Sequence, residues 1–156
     1  MEKHSFWKTL KKPILVLAPM ADVTDVAFRT VIAKYGKPDV MWTEFVSADG
    51  LLYADERGQE RLRSHLAFTH IEKPIVAQFF SSNPVAMEHA ARIALDMGFD
   101  GIDINMGCPD RSVEGQGAGA AMIKNPKRAR EIIEAAQRGG GGLPVSVKTR
   151  ICLLYT

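Results

Sequence analysis

The sequence has little of several features that would define a class of protein. It contains 2 cysteines in 156 residues, at positions 108 and 152, too few for a disulfide-rich secreted scaffold. No apolar run approaches the roughly 18–20 residues of a membrane-spanning helix, so we expect no membrane partner. The four histidines show no metal-ligand spacing, and we expect no metal site. A formal net charge of +2 is too small to indicate nucleic-acid binding by itself.

What remains is the composition of a globular domain, with 46% hydrophobic and 24% charged residues. The charge is uneven, because residues 1–12 sum to +3 and form a basic leader that also carries Phe6 and Trp7. This leader could contact RNA or lie in solvent as an amphipathic segment. Its lysines and the apolar run after them loosely resemble a signal peptide, but Pro19 interrupts that run. A buried first strand explains the same residues better.

Short apolar runs alternate with amphipathic segments along the rest of the chain. Helices are predicted over 25–35, weakly over 49–65, from the Asn83 cap to Gly98, and from the Asn125 cap to Gly139. Strands are predicted at Ile14–Met20, Val40–Val46, Pro74–Phe80, Gly101–Asn105 and Pro144–Thr149. This order predicts an α/β fold with a parallel sheet.

Two parallel architectures fit the alternation, an open doubly wound sheet and a β/α barrel. The dinucleotide fingerprint of a doubly wound fold does not follow the first strand. Polar or reactive residues instead stand at the carboxyl ends of several strands, which is where a β/α barrel builds its active site. The pattern therefore favours the barrel.

Cys108 is the sharpest candidate for chemistry. It follows a predicted strand, and Pro109 restricts its backbone to extended conformations, so its thiol is held on a stiff turn. Ordinary thiols titrate near pH 8.5 and are mostly protonated at neutral pH, so a positioned thiol can donate a proton. A free cysteine is also often only a small buried hydrophobe, and both interpretations stay open.

Three further residues stand at or near strand ends. Lys148 lies within a predicted strand, where a cation needs an anionic partner or cofactor unless the strand end is solvated. Gln78 and Asn105 each offer a donor and an acceptor at the end of a strand. A hydrogen bond to local backbone would explain either amide equally well.

Taken together, these motifs resemble the tRNA-dihydrouridine synthases. The Asn-x-Gly-Cys-Pro segment is the most specific, and the resemblance covers roughly residues 13–151. The segments that carry it are Ala18-Pro19-Met20, Val23-Thr24-Asp25 with Phe28-Arg29, Gln78, Asn105-Met106-Gly107-Cys108-Pro109, Gly117-Ala118-Gly119 and Val147-Lys148-Thr149-Arg150.

The resemblance implies an FMN-dependent (β/α)8 barrel that reduces the 5,6 double bond of uridine in tRNA, with NADPH as electron donor. It implies a cytoplasmic enzyme. Pro19 and Met20 would line the flavin ring, Gln78 and Lys148 would contact its polar edge, and Asn105 would position the flavin or the uracil. Cys108 would be the general acid that protonates the reduced base.

Against that family, the chain is short. We expect about five of eight strands and four helices, with residues 13–151 as an incomplete flavin domain and 152–156 as a tail unlike the family. Phosphate sites in such barrels usually follow strands 7 and 8, so we expect weak FMN binding and little activity from these residues alone. Alternatives are another flavin barrel reductase, similar to dihydroorotate dehydrogenase, and a non-catalytic half-barrel. Open sheet edges would allow self-association.

Overall fold

A computed structural model describes residues 5–151 of the chain. The predicted tail at 152–156, with its Cys152, lies outside the described residues, as do the first four residues of the leader. No helix in the described part is long and apolar enough to cross a membrane.

The centre of the fold is a four-stranded parallel sheet in the order β1-β2-β3-β4, which is also the order along the chain. Neighbouring strands are joined by helices, because parallel neighbours need a crossover connection. The strands are β1 (Met41–Ser47), β2 (Ile75–Phe80), β3 (Gly101–Met106) and β4 (Val145–Thr149). The helices are α1 (Val26–Gly36), α2 (Ala48–Tyr53), α3 (Glu56–Ser64), α4 (Pro84–Asp96), α5 (Arg111–Glu114) and α6 (Pro126–Gly139).

Local sequence signals set the helix boundaries. Asn83 and Asn125 cap α4 and α6, each with proline at the first helical position, as the sequence predicts. The weak helix predicted over 49–65 is two helices, because the side chain of Asp55 accepts a hydrogen bond from the Gly58 N–H and starts α3. The predicted four helices are therefore six in the described residues, including the one-turn α5.

Within residues 5–151, helices cover only one face of the sheet. The face that carries Ile75, Ala77 and Phe79 in β2 and Ile102 and Ile104 in β3 packs into the main hydrophobic core with α4 and α6. A sheet of successive β/α units with helices on one side is the wall of a β/α barrel. The expected fold class is confirmed, and the opposite face of the sheet is the barrel interior.

The prediction of a first strand at Ile14–Met20 is wrong. Around Val16 the chain forms a single parallel bridge to Val40, so the described residues hold four strands and this bridge rather than five strands. Leu15, Val16 and Met20 are also substantially exposed, whereas the sequence predicted a strand buried on both faces. The physical reason is that this segment has a neighbour on one side only, and the Leu15 N–H donates to the Asp39 carboxylate instead of extending the ladder.

The leader packs against the amino-terminal end of the sheet. Phe6–Lys8 forms a single 3-10 turn, and the Trp7 and Trp42 rings lie 5.8 Å apart between centroids. Phe6, Trp7 and Leu10 join a small apolar cluster with Trp42 and neighbouring strand residues. The aromatic part of the leader therefore closes the bottom of the barrel wall, at the end opposite to Cys108.

Candidate active site at the carboxyl end of the sheet

The strand register arranges the interior face in rows. Trp42, Val76 and Gly101 form the lowest row, next to the leader. Gln78, Asp103 and Ser146 form the next row up, on strands β2, β3 and β4. Asn105 and Lys148 are paired in the row nearest the carboxyl ends. These five polar residues thus share one face of the sheet because side chains alternate along each strand.

The turn after β3 holds Cys108 in place. Asn105 Oδ1 accepts hydrogen bonds from the Gly107 N–H at 3.1 Å and from the Cys108 N–H at 3.0 Å. The Cys108 carbonyl accepts from the Ala120 N–H at 2.9 Å. Both backbone polar groups of Cys108 are therefore used within the fold, and its half-buried thiol is free for chemistry.

Close backbone packing reinforces this turn. A Cβ on Gly107 would lie 3.3 Å from the Lys148 carbonyl oxygen, and one on Gly119 would lie 2.7 Å from the Cys108 carbonyl oxygen. Gly119 also has a positive φ of 57°. Arg150 Nε donates to the Gly107 carbonyl oxygen at 2.7 Å. Gly107 and the Arg150 contact thus bring the end of β4 against the Cys108 turn, and Gly119 lets the 3-10 turn at Gly119–Lys124 approach the same turn.

Pro19 and Lys148 line one cavity of about 230 Å³ on the interior face. Asp103, Ser146 and Trp42 also line it, so the polar rows open onto the same space. Met20 does not line this cavity; it is 40% exposed at the start of the following turn. Of the six predicted site residues, Pro19 and Lys148 thus line this cavity, Gln78 and Asn105 lie in adjacent rows of the same sheet face, Cys108 follows the end of β3, and Met20 lies at the margin.

The motif after the first segment holds the loop that carries Met20. Thr24 Oγ1 accepts from the Met20 N–H at 2.9 Å and donates to the Met20 carbonyl at 3.0 Å. Arg29 is fully buried, donates to the Thr24 carbonyl at 2.6 Å, and pairs with Glu72 at 2.6 Å. Thr24 and Arg29 are therefore structural residues that fix the loop, and the buried arginine was not anticipated from the sequence.

A second cavity, of about 380 Å³, lies beside this loop and is lined by Asp22, Asp25, Glu44 and His65 among others. Glu44 Oε1 accepts from the Asp22 N–H at 2.6 Å, and Glu44 Oε2 is 3.2 Å from His65 Nδ1. Both carboxylate oxygens of Glu44 thus have partners. Among residues 5–151 no group of three or more histidine, cysteine, aspartate or glutamate side chains is arranged to hold a metal ion.

Asp103 is a site residue that the sequence analysis missed. Its carboxylate is 2% exposed and lies 2.5 Å from Gln78 Nε2 and 2.5 Å from Ser146 Oγ. Burial raises the pKa of Asp103, and hydrogen bonds from Ser146 and Gln78 together with the charge of Lys148 oppose that rise. The available signal was its position between Ile102 and Ile104, since alternation places it on the same face as Asn105.

Gln78 has one unsatisfied atom in this arrangement. It is 1% exposed, and its backbone N–H donates to Thr43 Oγ1 at 3.1 Å. Its Oε1 is buried and has no hydrogen-bond partner among the described residues. A buried acceptor without a donor costs roughly 1–3 kcal/mol, so this atom is suited to a ligand N–H or a water.

The fold is a β/α-barrel domain, because helices cover one side of a parallel sheet. Its other side carries a polar site, in which Asn105 holds the Cys108 turn and Lys148 lies in register with Asn105. Residues 16–153 match the family model described as dihydrouridine synthase (Dus). The chain belongs to the dihydrouridine synthase family.

Curated relatives agree with this assignment. The chain is 46% identical over 148 residues to a probable tRNA-dihydrouridine synthase 2 of Bacillus subtilis (strain 168). The matched residues make up 95% of this chain and 44% of that protein. It is 44% identical over 149 residues to a probable tRNA-dihydrouridine synthase of Staphylococcus epidermidis, covering 96% of this chain and 44% of that protein. A probable tRNA-dihydrouridine synthase of Staphylococcus aureus (strain COL) is 42% identical with the same coverage. The chain thus spans less than half the length of these relatives.

Proposed function

We propose that this chain carries the catalytic acid and the flavin-edge residues of an oxidoreductase that reduces uridine to 5,6-dihydrouridine in tRNA. The observation that carries the proposal is the family match, together with a Cys108 turn fixed beside Lys148. The names of the relatives supply the substrate class, a uridine in tRNA. A cytoplasmic location follows from that substrate.

Two polar groups of the interior face support a flavin ring as the ligand of this site. Gln78 Oε1 is a buried acceptor without a donor, and Lys148 places a cation on the same face. The pyrimidine edge of a flavin offers both an N–H and carbonyl oxygens. Gln78 and Lys148 would therefore hold that edge, and Lys148 would offset negative charge on the reduced ring. Pro19 and Met20 would line the ring from the first loop.

A bound FMN, once reduced by NADPH, would supply a hydride to one carbon of the uracil double bond and return to its oxidised form. The residues of the chain itself would supply the proton. Cys108 Sγ–H would donate to the other alkene carbon, beside the carbonyl, and solvent would then reprotonate the thiolate. Asn105 would hold the thiol in position through the Cys108 N–H. The uridine must leave its stack to reach this site, as bases do in enzymes that act on them.

The described residues would contact the flavin ring and not its phosphate. Phosphate sites in β/α barrels usually follow strands 7 and 8, and the described part contains the wall from the Val16 bridge to β4. We therefore expect these described residues on their own to bind FMN weakly, and to bind riboflavin about equally well. Association of two copies through the unpaired edges of the sheet is expected at high concentration.

The Lys148 contact can be tested by titrating the chain into FMN and following quenching of flavin fluorescence. Lys148→Met is expected to weaken binding about tenfold, because it removes a charge-assisted contact to the ring edge. Lys127→Met is the matched control, since Lys127 is an exposed lysine on α6. Equal affinities for the two variants, or no saturable quenching by the wild-type chain, would contradict the proposed flavin site. A separate activity assay, with free uracil or tRNA as the substrate, distinguishes a pyrimidine reductase from a tRNA-modifying enzyme.

A further inference from the structure

A row of three hydrogen-bonded side chains crosses the interior face of the sheet, one register row below Asn105 and Lys148. Asp103 stands at its centre, with Gln78 on one neighbouring strand and Ser146 on the other, each in direct register with it. Both hydrogen bonds are 2.5 Å long. The proposed function assigns roles to Gln78 and Lys148 but none to Asp103 or Ser146.

The chemistry of the row determines which atom of the Gln78 amide is free. A carboxylate oxygen facing an amide can only pair with its N–H side, so Gln78 Nε2 must point toward Asp103. Oε1 is then left as the unpartnered atom. Without Asp103 the amide could turn over and present two N–H donors instead of an acceptor.

The row also tolerates a change in protonation of Asp103. Ser146 Oγ can donate to a carboxylate or accept from a carboxylic acid, because a hydroxyl does both. A proton on Oδ1 would therefore lie between Asp103 and Ser146, and Oδ2 would still accept from Gln78. Lys148 is the charged group that faces Asp103 from β4, while β2 and β1 contribute the neutral side chains of Gln78 and Trp42.

We propose that Asp103 is a positioning residue that fixes the Gln78 amide with Oε1 as the free acceptor, so that the site receives the N–H of the flavin pyrimidine edge. This inference rests on the proposed flavin site for its ligand. The orientation of Gln78 itself is a property of the chain without cofactor. The two parts can therefore be tested separately.

The orientation is tested by NMR on the full 156-residue chain without flavin, observing the Nε2 protons of Gln78. In the wild type these protons should exchange with solvent far more slowly than those of the exposed Gln137. Asp103→Leu removes the acceptor and should abolish the protection. Asp103→Asn should restore it, because its amide oxygen can accept from Gln78 while its N–H donates to Ser146. Asp96→Leu, an exposed site on α4, is the control and should change nothing.

The same four proteins are then titrated with FMN. Asp103→Leu is expected to weaken binding about tenfold or more, whereas Asp103→Asn and Asp96→Leu stay within about threefold of the wild type. A merely structural role would not predict rescue by asparagine in both measurements. If Asp103→Leu does not fold, the wild-type exchange comparison still decides, because rapid exchange at Gln78 would overturn the inference. Slow exchange at Gln78 with no FMN binding would uphold the orientation of Gln78 and overturn the flavin site.

Discussion

Asp103 has its carboxylate at the centre of the sheet, where burial opposes ionisation more strongly than its partners favour it. Its pKa is raised from an ordinary value of 3.8. Between that value and the raised one, the native state keeps a proton that the unfolded chain has released. The free energy of unfolding therefore falls as pH rises through this window and levels off above it.

This pH dependence is a prediction for Asp103→Asn. The stability of the wild type relative to the variant should decrease as pH rises from about 4, because asparagine does not ionise. Urea unfolding of both proteins at several pH values between 4 and 7 measures the difference. Asp110, whose pKa is lowered by its hydrogen bonds to Ser112, is present in both proteins and cancels from it. If the difference in unfolding free energy stays constant, or grows in favour of the wild type as pH rises, the pKa of Asp103 is not raised in the folded protein.

At the scale of elements, an ion pair between Arg29 and the distant Glu72 supports the loop that carries Pro19 and Met20. Arg29 on α1 and Glu72 in the 3-10 turn at His70–Glu72 are both fully buried. Glu72 Oε1 also accepts from the Thr69 N–H and hydroxyl, and Arg29 donates to the Thr24 carbonyl. This pair connects α1, the turn before β2 and the loop beside the site.

Removing one partner of this pair should be costly. Glu72→Ala leaves Arg29 buried without its counter-ion, and we expect a loss of about 3–5 kcal/mol in the free energy of unfolding. Glu60→Ala, an exposed glutamate on α3, is the control and should change stability by less than about 0.5 kcal/mol. Chemical denaturation measures both. A loss for Glu72→Ala as small as that of the control would show that the pair does not hold these elements together.

The elements predicted correctly are those whose signals are local. Asn83, Asn125 and the prolines after them start α4 and α6 where the sequence places them, because capping needs only nearby backbone. Exposure of the segment around Val16 could not be predicted, since it depends on which strands lie beside it. Asp103 was missed for a related reason: its function depends on Gln78 and Ser146, which register brings to it from 25 and 43 residues away.

At the scale of the whole molecule, the two ends of the sheet have different chemistry. The amino-terminal end is closed by the apolar contacts of Phe6 and Trp7 with Trp42. The carboxyl end carries Asn105, Cys108 and Lys148 and is reinforced by close backbone packing. This polarity is what a β/α barrel uses to separate stability from catalysis. An RNA contact through Lys8, Lys11 and Lys12 is one of the two alternatives for the leader, the other being a solvated segment, and it would lie at the end opposite to the cysteine.

The carboxyl end of this sheet is proposed to hold a flavin ring. The most direct measurement is NMR chemical-shift mapping of the 156-residue chain with FMN and with riboflavin, which detects weak binding. We predict that both ligands shift signals of Met20, Gln78, Asn105, Cys108 and Lys148, with dissociation constants that agree within about threefold. Shifts confined to the Phe6–Trp42 end, or no shifts at millimolar ligand, would contradict the account.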